Sequence, residues 1–218
     1  MYNYKLLNNH YLIEIDGYTF LIDTGYPFSF WISEPIRSIS INNKNYPLSP
    51  RPLNFGVKET NELVGTKIDG FIGTDIISSN GLTVYKNGQL DFSIKDVDGA
   101  KLLMNKTWPL TVFTECNSIT GKCIIDTGAK YGYGISELFL EQSPFDHVKD
   151  YNPHLKHFES DVYHLTATFG NVERAVDLGK NYLVEQTFDG RTIMVVNITS
   201  LFDEVCVLDT KNGLLILK

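Results

Sequence analysis

Residues 123–134, CIIDTGAKYGYG, set an acid, Asp126, directly after Cys123-Ile124-Ile125, three residues that read as a buried strand. A charge in that place is costly unless something pairs with it. The chain makes the same move earlier, at residues 20–30, FLIDTGYPFSF, where Asp23 follows Leu21-Ile22. A single Asp-Thr-Gly is ordinary turn chemistry, since Asp and Gly favour turns and Thr bonds the nearby backbone. Two copies, each closing an apolar strand, point instead to a duplicated unit that supplies one carboxylate per copy.

The repeat reaches beyond the triplets. Each copy runs from an apolar strand through Asp-Thr-Gly and a long middle to a Lys-Asn-Gly turn, Lys86-Asn87-Gly88 in the first and Lys211-Asn212-Gly213 in the second. The second middle is the longer. The copies are read as residues 1–98 and 99–218, joined near 95–101, where Asp96, Asp98 and Gly99 interrupt the strand pattern. Short apolar or alternating runs (NYKLL, YLIEI, YTFLID) fill most of the rest. Hairpin turns are expected at Asp16-Gly17, Asn87-Gly88 and Asn212-Gly213. Only short helices are expected, near 74–79, 136–141 and 200–204. The pattern is that of an all-β barrel or sandwich.

If the two copies pack about a pseudo-twofold axis, Asp23 and Asp126 meet at that axis. Two carboxylates so close cannot both ionise, and they share one proton. The ionised one can act as a base on a held water, the protonated one as an acid toward a carbonyl. Thr24 and Thr127 are expected to tie the two turns together by hydroxyl-to-backbone hydrogen bonds, while Gly25 and Gly128 permit the close turns.

On LIDTG, IIDTGA and the stretch IDGFIGTDII at residues 68–77, the sequence resembles the aspartic proteases, retroviral-type and pepsin-like. The resemblance spans nearly the whole length but is concentrated in these motifs. It implies a fold class: an all-β acid-protease double β-barrel with pseudo-twofold symmetry and a few short helices, two retroviral-protease-like lobes fused in one chain. It also implies an activity, hydrolysis of peptide bonds by a water activated between Asp23 and Asp126, with no covalent intermediate, metal or other cofactor. Phe71-Ile72-Gly73 resembles the family segment that braces the catalytic loop from behind. Its counterpart is expected in VVNITSLF, residues 195–202, where Asn197 or Ile198 stands in place of Gly, so that segment is expected to be rearranged. Pepsins carry Ser or Thr after the triplet; here Tyr26 and Ala129 follow, both read as cleft residues. Without that hydroxyl the carboxylate pKa is expected to rise, placing activity at mildly acidic to neutral pH. The flap is sought at residues 38–52, with Tyr46 near its tip, or in the longer second middle at about 145–163.

Composition narrows the partners. The 218 residues are 43% hydrophobic and 21% charged, with a net charge of −7. No Lys/Arg run appears, so neither nucleic acid nor anionic membrane is an expected partner. No apolar run reaches ~18 residues, so no membrane-spanning helix is expected. The N-terminal residues lack the apolar centre of a signal peptide, which makes a cytoplasmic location the expectation. Cys116, Cys123 and Cys206 are odd in number and are read as reduced core residues, although Cys116 and Cys123 could approach across a hairpin turning at residues 118–121. His147, His154, His157 and His164 could be imagined around a metal, but their spacing fits a solvated polar loop better. The partner expected is a peptide or protein substrate, bound by a monomer. The alternative on the same fold is a catalytically inactive peptide-binding module, to which Tyr26 and the missing second Gly would point.

Overall fold

The computed structural model describes residues 1–33, 35–53, 55–152, 156–181 and 190–218. The first copy opens with β1 (Tyr2–Leu7), β2 (His10–Ile15) and β3 (Tyr18–Ile22), which runs into the Asp23 turn. After β4 (Phe30–Trp31) come a short hairpin, β5 (Ser38–Ile41) and β6 (Lys44–Pro47), then β7 (Ser49–Pro50) and α1 (Val57–Val64). The copy ends with β8 (Gly70–Ile72), α2 (Thr74–Asn80) and the hairpin of β9 (Leu82–Tyr85) and β10 (Gln89–Asp91).

The second copy repeats the order. It runs β11 (Ala100–Leu103), β12 (Thr111–Cys116), β13 (Ile119–Ile125) and β14 (Gly132–Gly134), with a 3-10 turn at Ser136–Phe139. Next come β15 (Asp146–Asn152), β16 (Lys156–Phe169) and β17 (Val172–Lys180). It closes with β18 (Thr192–Val196), a 3-10 turn at Ile198–Ser200, and the hairpin of β19 (Val205–Asp209) and β20 (Leu214–Leu217).

Pairings match copy for copy. β3 lies parallel to β8, which is antiparallel to β4, which is parallel to β7. In the same way β13 lies parallel to β18, β18 antiparallel to β14, and β14 parallel to β17. In the second copy the sheet closes through β12–β16 into a six-stranded barrel. The copies share one further sheet, in the order β11-β20-β19-β9-β10-β1. Its central pair, β9 with β19, is antiparallel, so a pseudo-twofold axis passes between them. The molecule therefore has an all-β, double-barrel architecture with short helices: the pattern of short runs gives the all-β class, and the resemblance implies the double barrel.

Local chemistry explains the turns. Asp16 and Gly17 both take left-handed backbone angles, φ 55° and 82°, as a two-residue hairpin needs. Gly88 and Gly213 hold φ 90° and 73° in the two Lys-Asn-Gly turns. The hairpin between β12 and β13 turns at Asn117-Ser118, φ 49° and 62°, not at 118–121, because Asn tolerates the left-handed region and Gly121 is already in the strand. That register pairs Cys116 with Ile119 and Cys123 with Val112, and all three cysteines are free and buried.

The helix near residue 74 falls where expected, and the other two expected segments are single 3-10 turns. Helix α1 was not expected: among its eight residues only Val57, Leu63 and Val64 are strongly apolar, and a left-handed Gly65 ends it. One continuous apolar core, including Ile13, Phe20, Ile72 and Val84 with Val112, Ile125, Val196 and Leu208, runs through both copies. Each such side chain contributes about 1.5–3 kcal/mol on burial. Among the described residues no helix is long and apolar enough to cross a membrane.

Candidate active site

Each triplet begins as its strand leaves the sheet. The Asp23 N–H donates to Ile72 O at 2.9 Å, and the Asp126 N–H to Val196 O at 2.9 Å. Each carboxylate then folds back onto its own turn: Gly25 N–H donates to Asp23 Oδ1 and Gly128 N–H to Asp126 Oδ1, both at 2.8 Å. The turns are locked to one another. Thr24 Oγ1 donates to Ile125 O at 2.7 Å and accepts from Thr127 N–H at 3.0 Å. Thr127 Oγ1 donates to Ile22 O at 2.7 Å and accepts from Thr24 N–H at 3.0 Å. These four bonds are buried and obey the twofold.

That lock brings Asp23 and Asp126 within hydrogen-bonding reach of each other. A Cβ on Gly25 would overlap the Asp126 carboxylate, and a Cβ on Gly128 would overlap that of Asp23. The glycines are thus required by the approach of the opposite acid. Burial, then the neighbouring Asp126 charge, holds the Asp23 carboxyl well above the usual carboxylate range. Burial raises Asp126 as well, opposed by the Gly128 N–H. The arrangement favours one proton held between two acids.

The bracing strands differ only at their ends. Gly73 is buried, its N–H donates to Ser29 Oγ at 2.9 Å, and a Cβ there would strike the Phe28 carbonyl. The corresponding residue in the second copy is Asn197: the last three pairs of β18 keep the register of β8, and the rearrangement falls after them, where a 3-10 turn at Ile198–Ser200 replaces the helix that follows Gly73. The Asn197 side chain instead fills the space, donating to Ala129 O at 2.7 Å and Asn9 O at 2.9 Å while Oδ1 caps Thr199 N–H.

A cleft of about 550 Å³ opens over the two acids. Tyr26 and Ala129 both line it, at corresponding places. The Tyr26 ring packs into an aromatic wall, 5.1 Å from Phe30 and 6.1 Å from Phe71, and burial, then the nearby Asp23 charge, pushes its hydroxyl pKa to about 12. Tyr46 does not reach the cleft. It is buried in the core with its hydroxyl on Asn80 Oδ1 at 2.9 Å, because the β5–β6 hairpin is only four residues a side and folds onto the sheet. The second copy contributes instead: Tyr151 and Phe158, on the paired strands β15 and β16, line the cleft, and Tyr151 reaches Gly56 ahead of α1.

Several cleft residues escaped the sequence reading. Trp108 Nε1 donates to Gly25 O at 3.0 Å from the loop after β11. His10 is 1% exposed, lines the cleft, and is kept neutral by burial, which lowers its pKa to about 4. Asp150 is buried on β15 and accepts from the Tyr133 hydroxyl. Asp150 did leave a trace, an acid on the same strand face as Val148; Trp108 and His10 left none. His147 and His164 pair with Asp161 and Asp177 at the surface, and His154 lies outside the described residues. Among the described residues no group of three or more His, Cys, Asp or Glu could hold a metal ion.

No protein-family model matches the chain, and no curated protein matches it. Among solved structures, the solution structure of the simian foamy virus (mac) protease is similar to 42% of this chain and 90% of its own, with 14% identity and a TM-score of 0.32.

Proposed function

We propose that the chain is an aspartic endopeptidase whose lobes, residues 1–98 and 99–218, each lend one acid to a single dyad. The observation that carries this reading is the reciprocal lock of Thr24 and Thr127, which holds two proton-sharing carboxyls at the floor of a cleft. A water held between Asp23 and Asp126 loses a proton to the ionised carboxylate as its oxygen attacks the peptide carbonyl carbon. The protonated carboxyl donates to the carbonyl oxygen, giving a neutral tetrahedral diol. The now protonated carboxyl donates to the amide nitrogen while the ionised one takes a proton from a diol hydroxyl; the C–N bond breaks to give a carboxylic acid and an amine, and the dyad again holds one proton. No covalent intermediate forms, and one chain supplies the whole dyad.

The alternative, an inactive peptide-binding module, drew on Tyr26 and the missing second Gly. The Tyr26 ring packs against Phe30 in the cleft wall and Asn197 bonds the Ala129 carbonyl, and both departures coexist with the intact Thr24–Thr127 lock and the paired carboxyls. In the test, Asp23→Asn and Asp126→Asn are each expected to lower peptide turnover by about 10²–10⁴-fold or more with the fold intact by circular dichroism. A statine-type transition-state mimic is expected to bind the wild type and to lose affinity for both variants. Full turnover in Asp126→Asn rules the mechanism out.

A further inference from the structure

The two walls of the cleft are built on corresponding positions but differ in chemistry. In the first copy Phe30, Phe71 and Tyr26 form an aromatic surface, with Phe30 and Phe71 stacked at 4.7 Å. The same three positions in the second copy are Tyr133, Val195 and Ala129. Smaller side chains at two of them leave room, and the hydroxyl at the third meets a carboxylate. That carboxylate, Asp150, is 6% exposed and lines the cleft. Its Oδ2 accepts from Tyr133 and its Oδ1 from the Tyr151 N–H at 2.7 Å.

Two neutral donors are weak compensation for a charge taken out of water. Among the described residues Asp150 has no ion-pair partner. The cation on the same wall, Lys130, is near enough for its charge to favour the ionised Asp150, but it forms no ion pair with it: its Nζ lies over the Tyr131 ring, 5.2 Å from the centroid. A buried acid facing a cleft, with only a distant cation and no direct ion-pair partner, is suited to a ligand that brings one.

We propose that Asp150, held by Tyr133, selects a substrate side chain bearing a positive charge, Lys or Arg, while the aromatic wall takes an apolar one. The peptide cut would then carry an apolar residue on one side of the scissile bond and a basic residue on the other. This rests on the peptidase reading above and assigns its substrate class. Asp150 is a specificity residue; it does not touch the reacting atoms.

The test uses paired peptides that differ only by Lys or its uncharged isostere norleucine beside the scissile bond. Binding is measured by calorimetry on the full-length Asp126→Asn protein, and turnover on the wild type. The Lys peptide is expected to bind about 10- to 100-fold more tightly, and Asp150→Asn added to Asp126→Asn is expected to erase the ratio. Asp150→Ser, smaller and neutral, is the second variant with the same expected loss. Equal binding of the two peptides, or a ratio that survives both substitutions, overturns the proposal. If neither variant folds, the Lys-to-norleucine ratio on Asp126→Asn alone decides it. Turnover answers a separate question: a Lys preference in binding with no wild-type cleavage sinks the peptidase reading and leaves Asp150 as a selector of basic peptides.

Discussion

At the scale of single residues, the site depends on two hydroxyls and two carboxyls. Each Thr hydroxyl accepts from the opposite Thr N–H and donates across the axis, so replacing Thr24 or Thr127 by Val orphans a buried donor. Each substitution is expected to cost at least about 1–3 kcal/mol in urea unfolding, similar for the two because the bonds obey the twofold. Thr→Ser keeps the hydroxyl and is expected to restore most of the loss. The acids act in the opposite direction on stability. Both Asp pKa values are raised in the folded chain, so the native state holds protons that the unfolded chain releases above about pH 4. Their contribution is fully present below that pH and is lost as pH rises through the raised native values. The wild type is therefore expected to lose more thermal stability between pH 4 and pH 7 than Asp23→Asn, which lacks one of these protons. An Asn variant whose melting temperature falls as steeply contradicts the shared-proton picture. The same raised values place the singly protonated dyad above the usual carboxylate range. Peptide turnover is thus expected to peak at mildly acidic to neutral pH, and a maximum near pH 2–3 does not fit.

At the scale of elements, sequence was most legible where one residue type has one physical meaning. Asp16-Gly17 and the Lys-Asn-Gly turns need left-handed angles that Gly supplies. The two apolar strands ending in Asp also announced a pair of sites needing partners. Less legible was anything decided by which surface an element meets. The alternation of Ile39, Ile41 and Tyr46 marks one apolar face of a hairpin, but whether that face covers a cleft or a core depends on strand length and tertiary packing. Helix α1 hid because its buried face pairs Val64 with Thr60, whose hydroxyl donates to Gly56 O, so a polar residue breaks the apolar period. Asn197 was visible as a departure from the repeat, yet its consequence was not, since a side chain can substitute for a close backbone contact by bonding the same carbonyl. This gives a prediction for β18 and the turn it braces. Asn197→Gly is expected to destabilise by about 1–3 kcal/mol, although Gly is what the first copy uses, because the Ala129 carbonyl loses its donor. Asn197→Asp, which sets a carboxylate against that carbonyl, is expected to cost more. A Gly variant as stable as the wild type, in urea titration, removes the bracing role.

At the scale of the whole molecule, the two copies cannot be independent units. The β9–β19 pairing joins their closing hairpins in one sheet, and the apolar core crosses from one copy to the other. The Thr24–Thr127 bonds add a second seam at the opposite end of the same interface. Opening one copy alone would bare the edge of β9 or β19, strip the core of half its contacts and orphan the buried Thr N–H groups. Those costs exceed the marginal stability typical of a chain this size, so unfolding is expected to be a single cooperative step. The two tryptophans, Trp31 and Trp108, lie one in each copy and serve as reporters. Trp31, in the first copy, packs against the shared core, and Trp108, in the second, bonds Gly25 O of the first and so also senses the seam. Trp31→Phe leaves fluorescence from the second copy only, and Trp108→Phe leaves it from the first. Within each variant, the fluorescence midpoint in urea is expected to coincide with the midpoint from far-ultraviolet circular dichroism. A fluorescence transition that precedes the loss of strand signal in either variant would mean that one copy opens while the other stays folded, and the shared sheet would then not couple them.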